Sequence, residues 1–512
     1  MYDFRPEELT PLEERDYQLQ AVADVRELVR QGYRRILLCC PTGSGKTAIA
    51  SQFLKLCVAK GMRGLFLAHT RELVRQACRT LARANVPYGV IMAGSGYEIN
   101  RPVQVCGKDT FLSRVVRRKT LDDPPADLII PDEAHLSMAR SFQKVLALYP
   151  KAVILGLTAT PINASGRGLG SWWQVLHKIA SYQELIARGF LVPTRCWTQQ
   201  APSTRKVKIN KGQYSHDFDK QQLQDLMDRP RLVGDLVRHW LEKGENRQTI
   251  IRAAGIRHSL SIRDEFAAAG ISIEHVDGTF NHGERDAVVN RFLNRETRII
   301  TQVALLNTGA DFPEAACLID AEPTMSYRKF RQGSGRIQRS SPGKVDALYL
   351  DHAGNIIRHG LPDADVDWKL TTGGTESAYR LYEPEPFVCF KCGWTGEPKE
   401  MCPGCGAVFQ HKPKGREPEH VSGLLTEVDS VAVEAQEKMA TQRIWNRALG
   451  IACAKDGTLT QAAMIFYSMT DRHPWEQGLE WLKFLPGHKR WKNKVASVFP
   501  QFNRRKDKSC GS

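Results

Sequence analysis

The chain has 512 residues, a formal net charge of +16, and 42% hydrophobic against 25% charged residues, the balance of a folded protein rather than a disordered one. Its longest apolar runs, such as Ile36–Cys40, are strand-length and fall far short of the ~20 residues that span a bilayer. The opening residues are polar and acidic, so no signal peptide is expected, membrane and secreted classes recede, and a cytoplasmic location is expected.

In chain order, β-branched runs alternate with helical stretches over residues 35–160. The predicted strands are Arg35–Cys40, Leu65–His69, Gly89–Ala93, Val103–Cys106, Asp127–Ile130 and Ala152–Leu157. Such alternation implies a mostly parallel sheet with helices on both faces. The pattern restarts with Thr249–Arg252, Ser272–Val276, Arg298–Thr301, Cys317–Asp320 and Ala347–Leu350. Two successive α/β domains are therefore expected, over 1–195 and 231–375, with the polar stretch 196–230 as a linker or insertion. A short bridge, Thr371–Thr375, leads to a cysteine cluster within 385–410, and residues 420–512 form a basic C-terminal region.

Pro41-Thr42-Gly43-Ser44-Gly45-Lys46-Thr47 follows the first predicted strand and opens a helical pattern. In that context Gly43, Ser44 and Gly45 can curl backbone N–H groups around phosphates. Lys46 supplies a point charge, and the Thr47 hydroxyl can reach Mg²⁺. Asp132, at the end of Leu128-Ile129-Ile130-Pro131, can hold the same ion through water, and Glu133 can take a proton from an attacking water. ATP hydrolysis is the expected chemistry. Gln332, Arg336 and Arg339 stand in a QxxGRxxR pattern, whose two arginines point the same way from one helical turn and can neutralise charge on a γ-phosphoryl group.

These segments, in this order, resemble the motifs of the superfamily 2 helicases. Arg15-Asp16-Tyr17-Gln18 is similar to the upstream segment whose Gln contacts adenine, which implies that role for Gln18. Leu67–Leu73 resembles motif Ia, Asp132-Glu133-Ala134-His135 a DEAH form of motif II, and Leu157-Thr158-Ala159-Thr160-Pro161 motif III. Val276-Asp277-Gly278 with Glu284-Arg285 resembles the segment after motif IV, and Thr308-Gly309-Ala310-Asp311 resembles motif V. The resemblance implies two tandem RecA-like domains closing on ATP·Mg²⁺, with Thr158, Thr160, His135 and Asp311 coupling hydrolysis to movement. Segments flanking motif VI, Pro323-Thr324 with Ser326-Tyr327 before it and Ser341-Pro342-Gly343-Lys344 with Leu350-Asp351-His352-Ala353-Gly354-Asn355 after it, look most like RadD-type bacterial and phage DNA helicases, which implies a bacterial or phage-infected cell. The sequence departs from the family at Pro131, where an aliphatic residue is usual, and at Arg252, where an aromatic is frequent.

Nine of the thirteen cysteines are scattered through apolar patterns, where Cys behaves as a small core residue. The other four, Cys389, Cys392, Cys402 and Cys405, form two CxxC knuckles suited to a structural Zn²⁺ in a small ribbon. Such a ribbon can hold DNA or dock on the motor. From Trp481 to Ser512 there are nine Lys/Arg and one acid, with Trp481 and Trp491 among them, a composition suited to phosphates and bases or to a helical domain with a solvated basic face. The expected activity is an ATP-dependent DNA helicase or translocase acting on single-stranded or forked DNA in repair, recombination or phage replication, with single-strand-binding or recombination proteins as further partners. An RNA-dependent helicase, or a DNA-bound ATPase that remodels without unwinding, shares every motor motif.

Overall fold

The computed structural model describes residues 4–372, apart from short interruptions (96–97, 99, 137–138, 164–165, 167, 199–201, 205, 212–215, 304–311 and 313). Beyond these it describes only Phe387–Val388, Thr395–Gly396, Thr426–Val428, Trp445 and Ala462. The chain divides into two compact units, Met1–Leu381 with Ser422–Val428, and Tyr382–Val421 with Asp429–Ser512. No helix of the described residues is long and apolar enough to cross a membrane.

The first unit holds two parallel sheets. The first domain contributes β1 (Arg35–Cys39), β2 (Gly64–Ala68), β3 (Tyr88–Ile91), β4 (Val103–Gly107), β5 (Leu128–Pro131), β6 (Val153–Thr158) and β7 (Val175–Lys178), in the order β3-β4-β2-β5-β6-β1-β7. Ile36, Leu37, Leu38, Leu65, Phe66 and Leu67 are wholly buried, as an apolar run must be when helices cover both faces. One face packs against α1 (Asp16–Arg30), α2 (Lys46–Ala59) and α3 (Arg71–Arg83). The other packs against α4 (Lys108–Phe111), α5 (Arg140–Leu146) and the Trp173 indole. A last helix, α6 (Tyr182–Ala187), starts at a Ser181 hydroxyl that accepts from Glu184 N.

Leaving this domain, β8 (Thr194–Thr198) crosses into the second sheet beside β15 (Ala347–Asp351). Residues 196–230, expected as a linker or insertion, include among the described residues the end of β8, the antiparallel pair β9 (Ile209–Lys211) with β10 (His216–Phe218), and α7 (Lys220–Met227). Their strands are three to five residues long and mixed with polar positions, which hid them from hydrophobic patterning. The rest of the second domain is α8 (Pro230–Lys243), β11 (Thr249–Ala253), α9 (Ile256–Ala268), β12 (Ile273–Val276), α10 (His282–Leu293), β13 (Ile299–Gln302), β14 (Cys317–Ala321), α11 (Tyr327–Ser334), β15 and α12 (Asn355–His359). Its sheet runs β12-β13-β11-β14-β15-β8, all parallel, and an antiparallel strand, Thr426–Val428, closes the edge on β8. Val233, Leu236, Trp240, Ile262 and Phe266 of α8 and α9 cover one face.

After α12 the chain returns to the first domain. Asp365 Oδ1 accepts from Tyr182 N at 2.7 Å, Asp367 pairs with Lys178 at 2.5 Å, and Thr371 O accepts from Gly170 N at 2.8 Å. The two domains are therefore joined twice, through β8 and through this strap. Within the second unit, Phe387–Val388 and Thr395–Gly396 form a short antiparallel pair, while Cys389, Cys392, Cys402 and Cys405 lie outside the described residues.

Candidate functional site

The loop Pro41–Thr47 leaves the C-terminal end of β1 and opens α2. Gly43 and Gly45 sit at φ +88° and +81°, which side chains resist. Space is tight as well: a Cβ on Gly45 would lie 2.9 Å from Gln18 Nε2, and one on Gly43 would lie 3.1 Å from Arg339 Cγ. The loop is fixed from beneath. Ser44 Oγ donates to Pro41 O at 2.7 Å, Tyr17 Oη donates to Ser44 O at 2.6 Å, and Thr42 N donates to Tyr182 Oη at 3.1 Å. Lys46 and Thr47 follow, half-buried, in the first turn of α2.

Gln18 reaches this loop from α1, with Nε2 3.5 Å from Ser44 O. Its Oε1 is buried with no hydrogen-bond partner. An unmet buried acceptor is costly, so the pocket suits a ligand edge that donates one hydrogen bond, as adenine does. Alongside, the Arg15 guanidinium lies 4.6 Å over the Phe190 ring, Arg188 lies 5.4 Å over the same ring, and Tyr17 is 5.2 Å from it.

The acidic pair is carried by β5. Pro131 ends the strand without displacing its successor: Asp132 N still donates to Leu67 O at 2.9 Å. The N–H that proline lacks would face β6, and pairing with β6 has already stopped at Ile129↔Ile154. Glu133 adopts a left-handed backbone, φ +49°, and its N donates to Asp132 Oδ1 at 2.9 Å. Strain of this kind collects at functional sites. The Glu133 carboxylate lies 3.2 Å from His135 Nδ1, which is 3.4 Å from Thr158 Oγ1. Thr158 Oγ1 in turn accepts from Thr160 N at 3.1 Å, so motifs II and III share one buried polar chain.

Burial, reinforced by the Glu133 charge, pushes the Asp132 carboxyl well above its ordinary range. Burial also acts on Glu133, but the His135 hydrogen bond and the Lys46 charge outweigh it and hold that carboxyl below its ordinary range. Burial keeps His135 below its ordinary range, hence neutral at pH 7. The Thr47 hydroxyl and the Asp132 carboxylate are hard oxygen donors, the set Mg²⁺ prefers, and a divalent charge would ionise Asp132.

The second domain completes the site through α11 and the turn after it. A Cβ on Gly335 would come within 2.4 Å of Thr42 Cβ, so motif VI is seated directly on the phosphate-binding loop. Arg336 is 8% exposed, and Arg339 forms an antiparallel bridge with Leu191. Burial lowers both guanidinium groups to about 10, opposed at Arg336 by Glu133, so both stay charged at neutral pH. Gln332 is half-buried on α11. Lys46, Thr47, Asp132 and Glu133 are thus brought together with Arg336 and Arg339 across the two domains, whereas Asp311 lies outside the described residues.

Two residues that sequence reading passed over belong to the same site. Arg331 lies 4.0 Å over the Tyr182 ring and donates to Ala364 O at 2.9 Å, tying motif VI to the loop-fixing tyrosine and to the returning strap. Its position beside Gln332 was the available signal. Nothing local marked Tyr182.

A phosphate-binding loop and acidic pair in one parallel α/β domain, faced by paired arginines from a second, define a helicase-type ATPase. Residues 11–163 match the family described as "Type III restriction enzyme, res subunit", and residues 230–341 match the "Helicase conserved C-terminal domain". The chain is 28% identical over 439 residues to a 51.5 kDa protein of a Lactococcus phage, covering 84% of this chain and 92% of that one. It is 27% identical over 358 residues to the provisionally named mitochondrial ATP-dependent helicase irc3 of Schizosaccharomyces pombe, covering 68% of this chain but only 58% of the yeast protein. In fold, it resembles the Type ISP restriction-modification enzyme LlaBIII bound to DNA, with a TM-score of 0.52 and 16% identity over 66% of this chain and 28% of that one. It also resembles a fragment of a provisionally assigned type I restriction HsdR subunit from Vibrio vulnificus, with a TM-score of 0.53 and 23% identity over 69% of this chain and 66% of that one. The chain is a superfamily 2 helicase-like protein, and its two sheets are the RecA-like domains of that motor.

Proposed function

We propose that this protein is an ATP-dependent DNA helicase or translocase. The observation that carries the reading is the seating of motif VI, Gly335 and Arg339, on Thr42 and Gly43: the ATP site is complete only when the two domains meet. In this reading Gln18 selects the base, the loop N–H groups and Lys46 hold the phosphates, and Thr47 and Asp132 hold Mg²⁺, which supplies charge neutralisation at the phosphate oxygens. Glu133 takes the proton of the attacking water. Gln332, Arg336 and Arg339 close over the γ-phosphoryl group and stabilise its developing charge. His135, Thr158 and Thr160 pass the change at Glu133 to the first domain's surface, with Asp311 completing the coupling set.

DNA is the favoured track. The net charge of +16 suits a polyanion, LlaBIII was solved bound to DNA, and a DNA 3'-5' helicase, XPB of Mycobacterium tuberculosis, is 26% identical over 320 residues. The further reading assigns Cys389, Cys392, Cys402 and Cys405 to a structural Zn²⁺ and the C-terminal basic region to DNA, in repair, recombination or phage replication. Steady-state ATP hydrolysis by the full chain, alone and with single-stranded DNA, duplex DNA or single-stranded RNA, tests the reading, with Glu133→Gln as control. Stimulation by DNA that the mutant abolishes is expected, and a strand-displacement assay then separates unwinding from translocation. Stimulation by RNA alone would overturn the choice of DNA.

A further inference from the structure

Asp217, in the hairpin strand β10, is a buried carboxylate that the ATP site does not touch. Its side chain is 10% exposed. It accepts from Lys329 Nζ at 2.7 Å, Thr324 Oγ1 at 2.8 Å, Met325 N at 2.8 Å and Phe218 N at 3.0 Å. Three of these four donors belong to the first turn of α11 or to the residues leading into it. A buried carboxylate is costly unless its lone pairs are filled, and here they are filled almost entirely by one helix start.

That helix carries Gln332 and delivers Arg336 and Arg339. Its N-terminal turn is built on the same contacts. Ser326 Oγ accepts from Lys329 N at 3.4 Å, and Ser326 N donates to the Thr324 hydroxyl at 3.1 Å, the hydroxyl that donates to Asp217. On the sheet side Arg252 Nη2 donates to Glu322 at 2.9 Å, Arg252 Nη1 lies 3.3 Å from Asp320, and Lys329 Nζ is 3.8 Å from Glu322. The helix start is gripped between strand ends on one side and the hairpin on the other. Asp217 is the carboxylate that the hairpin supplies.

We propose that Asp217 is a positioning residue for hydrolysis: it fixes the axial position and rotation of α11 and so the placement of Arg336 and Arg339 against the γ-phosphoryl group. The proposal rests on the reading of motif VI given above. It gives the segment between the two domains a specific task, since hydrolysis then depends on the hairpin being docked. Because Asp217 touches neither nucleotide nor the phosphate-binding loop, its loss acts on the transition state and leaves ground-state binding of ATP alone.

The test is a double-mutant cycle in the full-length protein. Asp217→Asn keeps the shape and removes the charge that holds Lys329, and Arg336→Lys removes the forked contact. The single Asp217→Asn change is expected to lower kcat about tenfold with KM for ATP within about twofold, the signature of a contact made only in the transition state. In the Arg336→Lys background the same change is expected to cost less than about twofold, because residues acting as a unit are not additive. An unchanged kcat in Asp217→Asn overturns the proposal, and so does a loss that multiplies with that of Arg336→Lys. Normal kcat in Arg336→Lys alone overturns the motif VI reading itself, a result distinct from the other two. Should Asp217→Asn fail to fold, Lys329→Met enters the same cycle with the same expectations.

Discussion

Arg285, in the first turn of α10, places Nη1 3.5 Å from Glu72 Oε1 in the first turn of α3, an ion pair that joins the two domains. A second pair crosses in the opposite sense, Arg75 to Asp286 at 3.6 Å. The first is largely buried, with side chains 16% and 30% exposed, whereas the second is more than half exposed at both ends and contributes little to stability. Glu72 lies in the segment that resembles motif Ia, which in that family touches the nucleic-acid backbone, and Arg285 lies in the segment that resembles the one after motif IV. Phosphate would compete with Glu72 for Arg285. Replacing Glu72 with Gln is therefore expected to tighten binding of single-stranded DNA about two- to fivefold, the free energy of a modest ion pair, as read by fluorescence anisotropy at fixed salt. Unchanged affinity would remove this pair from the path of the strand.

Gln18 makes a second prediction. With Oε1 buried and without a hydrogen-bond partner, the residue offers an acceptor to a base edge. Gln18→Ala is expected to raise KM for ATP about tenfold while leaving kcat within about twofold, because it removes binding common to ground and transition states. Preference for ATP over GTP should narrow with it. Steady-state kinetics on the two nucleotides decide the matter, and a pure kcat effect would reassign Gln18 to holding Ser44.

Much of this site was legible because its chemistry is local. A glycine cradle, a lysine and a hydroxyl must be adjacent to wrap phosphates, and an acidic pair must end a strand, so Gly43–Thr47 and Asp132–Glu133 declare themselves within a few residues. The central strands read as continuous apolar runs for the same reason. What stayed hidden depends on partners far along the chain. Tyr182 meets Thr42 across 140 positions, and Asp217 meets Lys329 across 112. Edge strand β7 is only partly buried, and β8 mixes Thr and Arg with buried Cys196 and Trp197, so neither carries a clean period. Arg252 stands where the resembling family frequently has an aromatic. Its explanation lies in sheet register, which sets Arg252 on β11 directly beside Asp320 on β14.

That Arg252–Asp320 pair carries a stability prediction. Arg252 is 3% exposed and Asp320 is wholly buried, at 3.3 Å, with Glu322 accepting a further hydrogen bond at 2.9 Å. Removing one partner of a buried pair strands the other charge. Arg252→Met is expected to destabilise the second domain by about 3–5 kcal/mol, seen as a lower urea midpoint for that domain's transition. Arg252→Met combined with Asp320→Asn should recover a large part of the loss. A single mutant as stable as the parent would mean that the interior there admits water to solvate the carboxylates.

Asp351 predicts how stability responds to pH. Its carboxyl is fully buried at the end of β15, where its oxygens accept from Ala353 N, Asn355 N, Ile356 N and Thr198 Oγ1. Those four donors favour the ionised form. Burial and the neighbouring Asp320 charge outweigh them and raise the group from its ordinary 3.8 to about 6. The folded state therefore binds a proton that the unfolded state has already released between these two values. The group's favourable contribution is fully present below about 3.8 and is lost as pH rises through about 6, the opposite of the usual carboxylate behaviour. In Asp351→Asn the titration is absent while an acceptor oxygen remains. The stability of the parent relative to this variant, followed by denaturant unfolding from pH 4.5 to 7.5, is expected to fall as pH rises and to level off above about 7. A difference that instead stays flat from pH 4.5 to 7.5 would show that the four hydrogen bonds outweigh burial, and that Asp351 is ionised throughout.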